Sequence, residues 1–168
     1  TCEIATADSF AKLKEGKRDV ILHFSGHGTE DELEIEDGFG GTNMVDSHSI
    51  MEAIGGGDKS VESVKLAVVS ACHSETIGRC LIKAGVPHVI AVRRSQAVLD
   101  AAAKSFLGAF YSKLVRGNTI RSAFQSARAS THAAGTGSTL HARDVPFLLL
   151  PDEAEHDEAP FSESEIGK

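Results

Sequence analysis

The sequence predicts an α/β fold, a three-layer sandwich in which a mostly parallel sheet carries helices on both faces. Two apolar runs of strand length, DVILHF at 19–24 and VKLAVVSA at 64–71, largely lack the polar–apolar alternation of half-exposed strands. Runs of this kind are typical of strands that are buried on both faces. Segments with helical spacing of apolar residues separate the runs. With 5% aromatic residues, the close-packed layers must be filled mainly by Ala, Val, Ile and Leu.

The order of the elements supports this prediction. Residues 32–36 alternate Glu with Leu or Ile and end at an Asp37-Gly38 turn, which indicates the half-exposed first strand of a hairpin. Asp46 or Ser47, then Ser74, then Asn118 are expected to cap helices. In chain order the predicted elements are helix 7–16, strand 19–24, strand 32–36, a short helix after 46, strand 64–71, helix 74–84, strand 88–92, helix 97–115, a helix after 118 and strand 146–150.

The net charge of -7 is concentrated near the C-terminal end. Residues 1–151 are predicted to form one domain, and residues 152–168 an acidic, disordered tail. The tail holds one base, Lys168, and seven acids: Asp152, Glu153, Glu155, Asp157, Glu158, Glu163 and Glu165. The rest of the chain is nearly neutral, which argues against direct nucleic-acid binding, because such binding needs a basic face.

The cysteines indicate a reducing, intracellular setting. Cys2, Cys72 and Cys80 are odd in number and form no CxxC pair, so neither a disulfide framework nor a zinc knuckle is expected. No apolar run reaches the ~18 residues of a membrane span and no signal peptide is visible, so we expect a cytoplasmic protein without a membrane partner. His23 and His27 share an H-x3-H spacing, but they fall on a strand and its turn without a third ligand. We therefore expect no metal and no other cofactor.

Cys72 is the candidate nucleophile. It follows the second buried strand directly and precedes a predicted helix. In mostly parallel sheets, active sites form at the carboxyl ends of the strands. The free N–H groups and partial positive charge of a helix N-terminus stabilise a thiolate and can also hold an oxyanion. Cys80 falls on the inward face of the following helix, and we expect it in the core.

His27 is the candidate acid and base, because it ends the first buried strand. Gly26 and Gly28 flank it, so the backbone can approach a substrate closely, and the Gly28 N–H is a candidate oxyanion donor. The residues alone leave simpler interpretations open: Cys72 as a small buried apolar residue, and His27 as an ordinary turn residue. Their placement at two strand ends favours a catalytic pair.

At this point the sequence resembles a known group. HFSGHG at 23–28 and VVSACHS at 68–74 resemble the His-Gly and Ala-Cys motifs of caspase-like cysteine peptidases, the relatives of caspases and separase, and in particular the CHAT family. The likeness extends over residues 5–151 and includes GVPHVIAV at 85–92, AAAKSFLGAFYSKLV at 101–115, SAFQSAR at 122–128 and VPFLLL at 145–150. It implies a caspase-like sandwich. Family members usually have strands before the first helix, so we expect a sheet that lacks those N-terminal strands.

The resemblance implies a cysteine endopeptidase that cleaves peptide bonds through a thioester. Cys72 would attack the carbonyl, His27 would protonate the leaving amine, and the N–H groups of Gly28 and Cys72 would hold the oxyanion. The expected partners are a protein or peptide substrate and a regulatory domain or activator such as helical repeats. The alternative is a catalytically silent interaction domain with the same fold. A Rossmann-like nucleotide binder is not supported, because no GxGxxG follows a strand.

The resemblance also indicates substrate-binding residues. CHAT and separase-like members often carry a Trp and an acid after the third buried strand, where this chain has Arg93 and Arg94, with Asp100 further on. An acid there would bind Lys or Arg of a substrate, whereas the arginines would bind Asp or Glu. Ser70 lies where caspases carry a substrate-reading Gln. The alternative is that both arginines are solvated loop charges.

Overall fold

A computed structural model of the protein describes residues 20–55, 64–134 and 145–161. The helix predicted at 7–16 lies outside these residues. The described elements are β1 (Val20–Ser25), β2 (Glu32–Glu36), β3 (Thr42–Asp46), α1 (Ser47–Gly55), β4 (Val64–Ser70), α2 (Glu75–Lys83), β5 (Val89–Val92), α3 (Asp100–Leu114), α4 (Ile120–Ala134) and β6 (Phe147–Leu150). In this part of the chain, no helix is long and apolar enough to cross a membrane.

The main sheet has the strand order β1-β4-β5-β6. The first three strands run parallel, and β6 lies antiparallel to β5 at the edge. β2 and β3 pair separately as an antiparallel hairpin. The structure thus confirms the predicted α/β fold with a mostly parallel sheet.

Alternate residues of the central strands divide the core into two layers, one on each face of the sheet. On β4, Ala67 and Val69 belong to the first layer, whereas Leu66 and Val68 belong to the second. The hairpin, α1 and α2 complete the first layer with Leu33, Ile35, Ile50, Ile77 and Leu81. Helices α3 and α4 complete the second with Phe106, Phe110, Leu114, Ile120, Ala123 and Phe124. Because every residue of β5 is buried, this strand carries no polar–apolar alternation.

The helix caps differ in part from the predictions. Asp46 rather than Ser47 caps α1, because its carboxylate accepts the Ser49 N–H at 2.7 Å. Thr119 rather than Asn118 caps α4, since its hydroxyl oxygen accepts the Ser122 N–H at 3.2 Å. The Asn118 amide instead donates to the Lys113 carbonyl at the end of α3.

Helix α3 begins at Asp100 rather than at residue 97. Leu99, directly before it, is extended, with φ -75° and ψ 139°, and makes no side-chain cap. Its side chain is 71% exposed, so it contributes little to the core. The apolar spacing placed Leu99 on the buried face of this helix. The predicted N-terminus of the helix is therefore three residues too early.

The segment after β6 packs against the domain as far as the structure describes it. The backbone carbonyls of His156 and Glu158 accept the N–H groups of Arg121 and Ile120, at 3.0 and 2.9 Å. His156 is itself buried. Residues 152–161, the first part of the predicted tail, therefore pack against the fold, and residues 162–168 lie outside the described part.

Candidate active site

The register of β1 and β4 sets the geometry of the candidate site. The two strands are parallel neighbours, and Ser25 pairs with Ser70 at their carboxyl ends. The Gly26 N–H donates to the Ser70 carbonyl at 3.3 Å, so the backbone pairing of the two strands continues for one more residue. His27 and Cys72 each follow this last pair by two residues. The fold therefore carries both predicted catalytic residues to the same edge of the sheet.

Gly28 brings the backbone next to His27 into contact with the turn that holds Cys72. A methyl group at position 28 would lie 3.2 Å from the Cys72 carbonyl oxygen and 3.1 Å from both the Ala71 Cβ and the Glu32 carbonyl oxygen. These distances are shorter than most contacts of a real Cβ atom, so a side chain here would force its neighbours to move by a few tenths of an ångström. Glycine permits the close approach of the two segments without such a shift.

The backbone donors predicted for the oxyanion are open in the described structure. Gly28 faces Leu33 in an isolated antiparallel bridge, whose two bonds run from the Thr29 N–H to Glu32 and from the Glu34 N–H to His27. The Gly28 N–H itself takes no part in this bridge. Among the described residues, no hydrogen bond engages the N–H of Gly28 or of Cys72. Within the described residues, both groups are therefore available to donate to a substrate oxygen.

The two predicted catalytic side chains differ in exposure. His27 is exposed and Cys72 is half-buried. The Cys72 thiol lies 4.0 Å from the Val98 carbonyl, a weak contact for a sulfur donor. The hydrogen bonds of the described residues do not include one between the imidazole and the thiol. The catalytic roles of the two residues therefore stay predictions.

His73 is a structural residue of this site that sequence reasoning missed. It lies in the left-handed region with φ 59°, and its N–H donates to the Gln96 carbonyl at 3.3 Å. Its ring Nδ1 lies 2.6 Å from the Arg94 carbonyl. Because a carbonyl only accepts, this nitrogen carries the proton. His73 therefore joins the turn after β4 to the loop after β5.

Ser74 and Glu75 strengthen the same connection. The sequence indicated Ser74 as a helix cap, but its buried hydroxyl donates to the Val69 carbonyl at 2.8 Å and accepts the Val92 N–H at 3.0 Å. The Glu75 carboxylate accepts the Arg94 N–H at 3.1 Å. Burial alone would raise the pKa of Glu75, but hydrogen bonds from Arg94 and Arg79 outweigh it, so that the pKa is lowered.

The residues predicted to bind substrate are only partly brought together. Ser70 is buried at the end of β4, and Arg93 and Arg94 directly follow β5 on the neighbouring strand. The Arg94 guanidinium pairs with Glu30 at 2.8 Å, and this pairing raises the pKa of Arg94. The Arg93 Nε is buried without a hydrogen-bond partner in the described structure. Asp100 lies on the first turn of α3, beyond the extended residues before that helix.

Metal chemistry has no obvious ligand set in the described part of the chain. No group of three or more His, Cys, Asp or Glu side chains is arranged there to hold a metal ion. The segments at this end of the sheet carry a thiol, an imidazole, backbone N–H groups and two arginines. Groups of these kinds can carry out covalent acyl transfer.

The sheet is mostly parallel and is covered on both faces. A His-Gly follows β1, and an Ala-Cys follows its neighbour β4. Together these features define a caspase-like α/β domain. The comparison with protein families agrees, since the model of the CHAT domain matches residues 2–160. The chain belongs to the CHAT domain family, which is caspase-like. No curated protein compared with the chain matches it.

Proposed function

We propose that this domain is a cysteine endopeptidase in which Cys72 is the nucleophile and His27 the acid and base. The register of β1 and β4 is the observation that supports this most directly. It carries an imidazole and a thiol, 45 residues apart along the chain, to positions two residues beyond the same strand pair. The open N–H groups of Gly28 and Cys72 support the same function.

The reaction needs four groups of the site. The Cys72 thiolate attacks the scissile carbonyl carbon, and the carbonyl oxygen gains a negative charge that the Gly28 and Cys72 N–H groups stabilise. The C–N bond then breaks, and His27 gives its proton to the leaving amine. Water attacks the resulting thioester while His27 takes one of its protons, and the carboxylic acid product leaves as the Cys72 thiolate is restored beside the protonated His27.

The arginines after β5 support a preference for acidic side chains in the substrate. Arg93 directly follows β5 beside the candidate site, and a guanidinium can pair with a substrate carboxylate through two parallel hydrogen bonds. Arg94 is held by Glu30, and a substrate carboxylate must exchange with that exposed carboxylate. Arg93 is therefore the stronger candidate for substrate recognition.

Labelling with acyloxymethyl-ketone peptides tests the proposal. Probes that end in Arg, Lys or Asp are incubated with the full chain, and the site of modification is read by mass spectrometry. We expect the wild-type protein to be labelled at Cys72 and the Cys72→Ala variant to remain unlabelled. The labelling rates of the three probes report which side chain the site prefers.

Cys80→Ala is the matched control, because Cys80 is a half-buried thiol on α2 and has no role in the proposed reaction. This variant should be labelled at the wild-type rate. Labelling that depends on Cys80 contradicts the proposal. Folded protein that no probe labels at Cys72 supports the silent interaction domain instead.

A further inference from the structure

Two buried histidines join the segment after β6 to the main sheet, next to the amino end of β5. His88, directly before β5, is 8% exposed, and His156 is 6% exposed. Their Nδ1 atoms lie 2.8 Å apart. On the outer sides, His88 Nε2 lies 3.2 Å from a Glu158 carboxylate oxygen, and His156 Nε2 lies 2.9 Å from the Pro151 carbonyl. Because His88 precedes its strand, this cluster lies at the end of the sheet opposite to Cys72.

The hydrogen bonds fix where the protons are. The Pro151 carbonyl only accepts, so His156 carries its proton on Nε2 and its Nδ1 holds a lone pair. The short Nδ1–Nδ1 contact then requires a proton on Nδ1 of His88. An ionised Glu158 also only accepts, so Nε2 of His88 needs a second proton. The complete chain of bonds therefore contains one proton more than two neutral imidazoles and an ionised carboxylate.

We infer that His88, His156 and Glu158 form a proton-dependent latch, in which one shared proton holds the segment after β6 in place. Removing that proton leaves the His88 Nε2 lone pair facing the Glu158 carboxylate, and the contact is lost. Adding a proton to His156 brings two N–H groups face to face across 2.8 Å. The latch is closed only between these two states. It goes beyond the proposed peptidase function and does not depend on it.

The latch acts on helix α4 through two backbone bonds. The first N–H groups of a helix have no partner within it and need one outside. Here the Glu158 and His156 carbonyls accept the N–H groups of Ile120 and Arg121. Opening the latch therefore removes the acceptors of the Ile120 and Arg121 N–H groups at the start of α4, a helix that covers the second core layer.

Other charged groups surround the cluster. Arg121 on α4 donates to the Ala154 and Glu155 carbonyls and lies 3.4 Å from Asp157. Lys65 on β4 lies at the same end of the sheet. Burial lowers the pKa of His156, and the charges of His88 and Arg121 lower it further, against the raising effects of Pro151 and Asp157. A released segment thus binds the second proton more readily, so the contribution of a neutral His156 is complete above the ordinary pKa of 6.5 and is lost as the pH falls towards its lowered pKa in the fold. At higher pH, loss of the shared proton opens the latch from the other side.

The experiment follows the ring nitrogens of the full chain by NMR over about pH 5–8, together with amide hydrogen exchange of Ile120 and Arg121. We expect a pH range in which both nitrogens of His88 and only Nε2 of His156 are protonated. As the pH falls further, exchange at Ile120 and Arg121 should accelerate by about tenfold per unit beyond its intrinsic change.

Glu158→Gln and Glu155→Gln provide the matched comparison, since each removes one carboxylate from the segment. Only Glu158→Gln should change the ring-nitrogen signals of His88 and reduce the protection of the two amides. Two singly protonated imidazoles over the whole range, with protection that does not change with pH, would overturn the latch. Equal effects of the two variants would also contradict it. If Glu158→Gln does not fold, the wild-type titration alone decides.

Discussion

At the scale of single residues, Gly28 controls how closely the histidine and cysteine segments approach. Replacing it by Ala places a methyl group 3.1–3.2 Å from three neighbours, two of which are backbone oxygens. Because backbone atoms cannot rotate away, the segment that carries His27 must shift. We expect Gly28→Ala to slow the labelling of Cys72 by about tenfold or more, since small displacements of reacting groups are costly. The labelling rate of the folded variant measures this effect.

A glycine elsewhere separates this effect from any general consequence of an added methyl group. Gly108 has open space on α3, with no atom within 4 Å of the added carbon. Gly108→Ala should leave the labelling rate unchanged. Equal rates for Gly28→Ala and the wild-type protein would show that the approach of the two segments does not matter for reactivity.

The sequence was sufficient to find the two strand ends but not the residues that connect them. His27 and Cys72 follow buried apolar runs directly, so local pattern and the rules of parallel sheets lead to them. His73 contacts Arg94, and Arg94 contacts Glu30, 64 residues away. These contacts depend on the paths of two loops, and no local pattern encodes them. The positive φ of His73 could not be predicted either, because this residue is neither glycine nor asparagine.

At the scale of elements, close contact between α2 and β5 predicts an unusual response to helix-favouring substitutions. A methyl group on Gly78 would lie 2.8 Å from the Ala91 Cβ and 3.3 Å from the Val89 Cγ1. Gly→Ala within a helix normally stabilises by about 1 kcal/mol. For Gly78→Ala, overpacking of the core costs about 1–3 kcal/mol and outweighs this gain. We expect a net decrease in the free energy of unfolding, measured by urea denaturation.

The exposed Gly108 on α3 is again the control, because the same substitution there adds no contact. Gly108→Ala should raise the free energy of unfolding by up to about 1 kcal/mol. Opposite signs for the two variants are expected. A stabilising Gly78→Ala would mean that α2 moves away from the sheet without cost.

Element types were easier to predict than their ends. Apolar spacing correctly indicated α2, α3 and α4, and Gly85 and Gly117 adopt the positive φ expected after a helix. Cap residues were less certain because Ser, Thr and Asn each have several possible partners. The Ser74 hydroxyl forms hydrogen bonds with the backbone of β4 and β5 instead of with its own helix. Only the packed sheet supplies those partners.

At the scale of the whole molecule, the sequence pattern could not predict the order of the strands or the direction of each one. A run such as FLLL at 147–150 is equally compatible with either direction, and the structure places it antiparallel to β5. Burial of the segment after β6 was also missed, since its composition is acidic and polar. There, His156 and the carbonyls that cap α4 compensate for the scarcity of apolar residues. Composition alone therefore underestimates how much of the chain is packed.

The two core layers lie on opposite faces of one sheet, and this predicts independent energetic contributions. Ile77 on α2 and Ile120 on α4 are each almost completely buried, in different layers. Ile→Val at either site should lower the free energy of unfolding by about 0.5–1.5 kcal/mol. Since the two residues belong to core clusters on opposite faces of the sheet, the change in the double variant should equal the sum of the single effects within about 0.5 kcal/mol. Urea denaturation followed by far-UV circular dichroism measures all three, and a larger discrepancy would show that the sheet transmits packing changes between its faces.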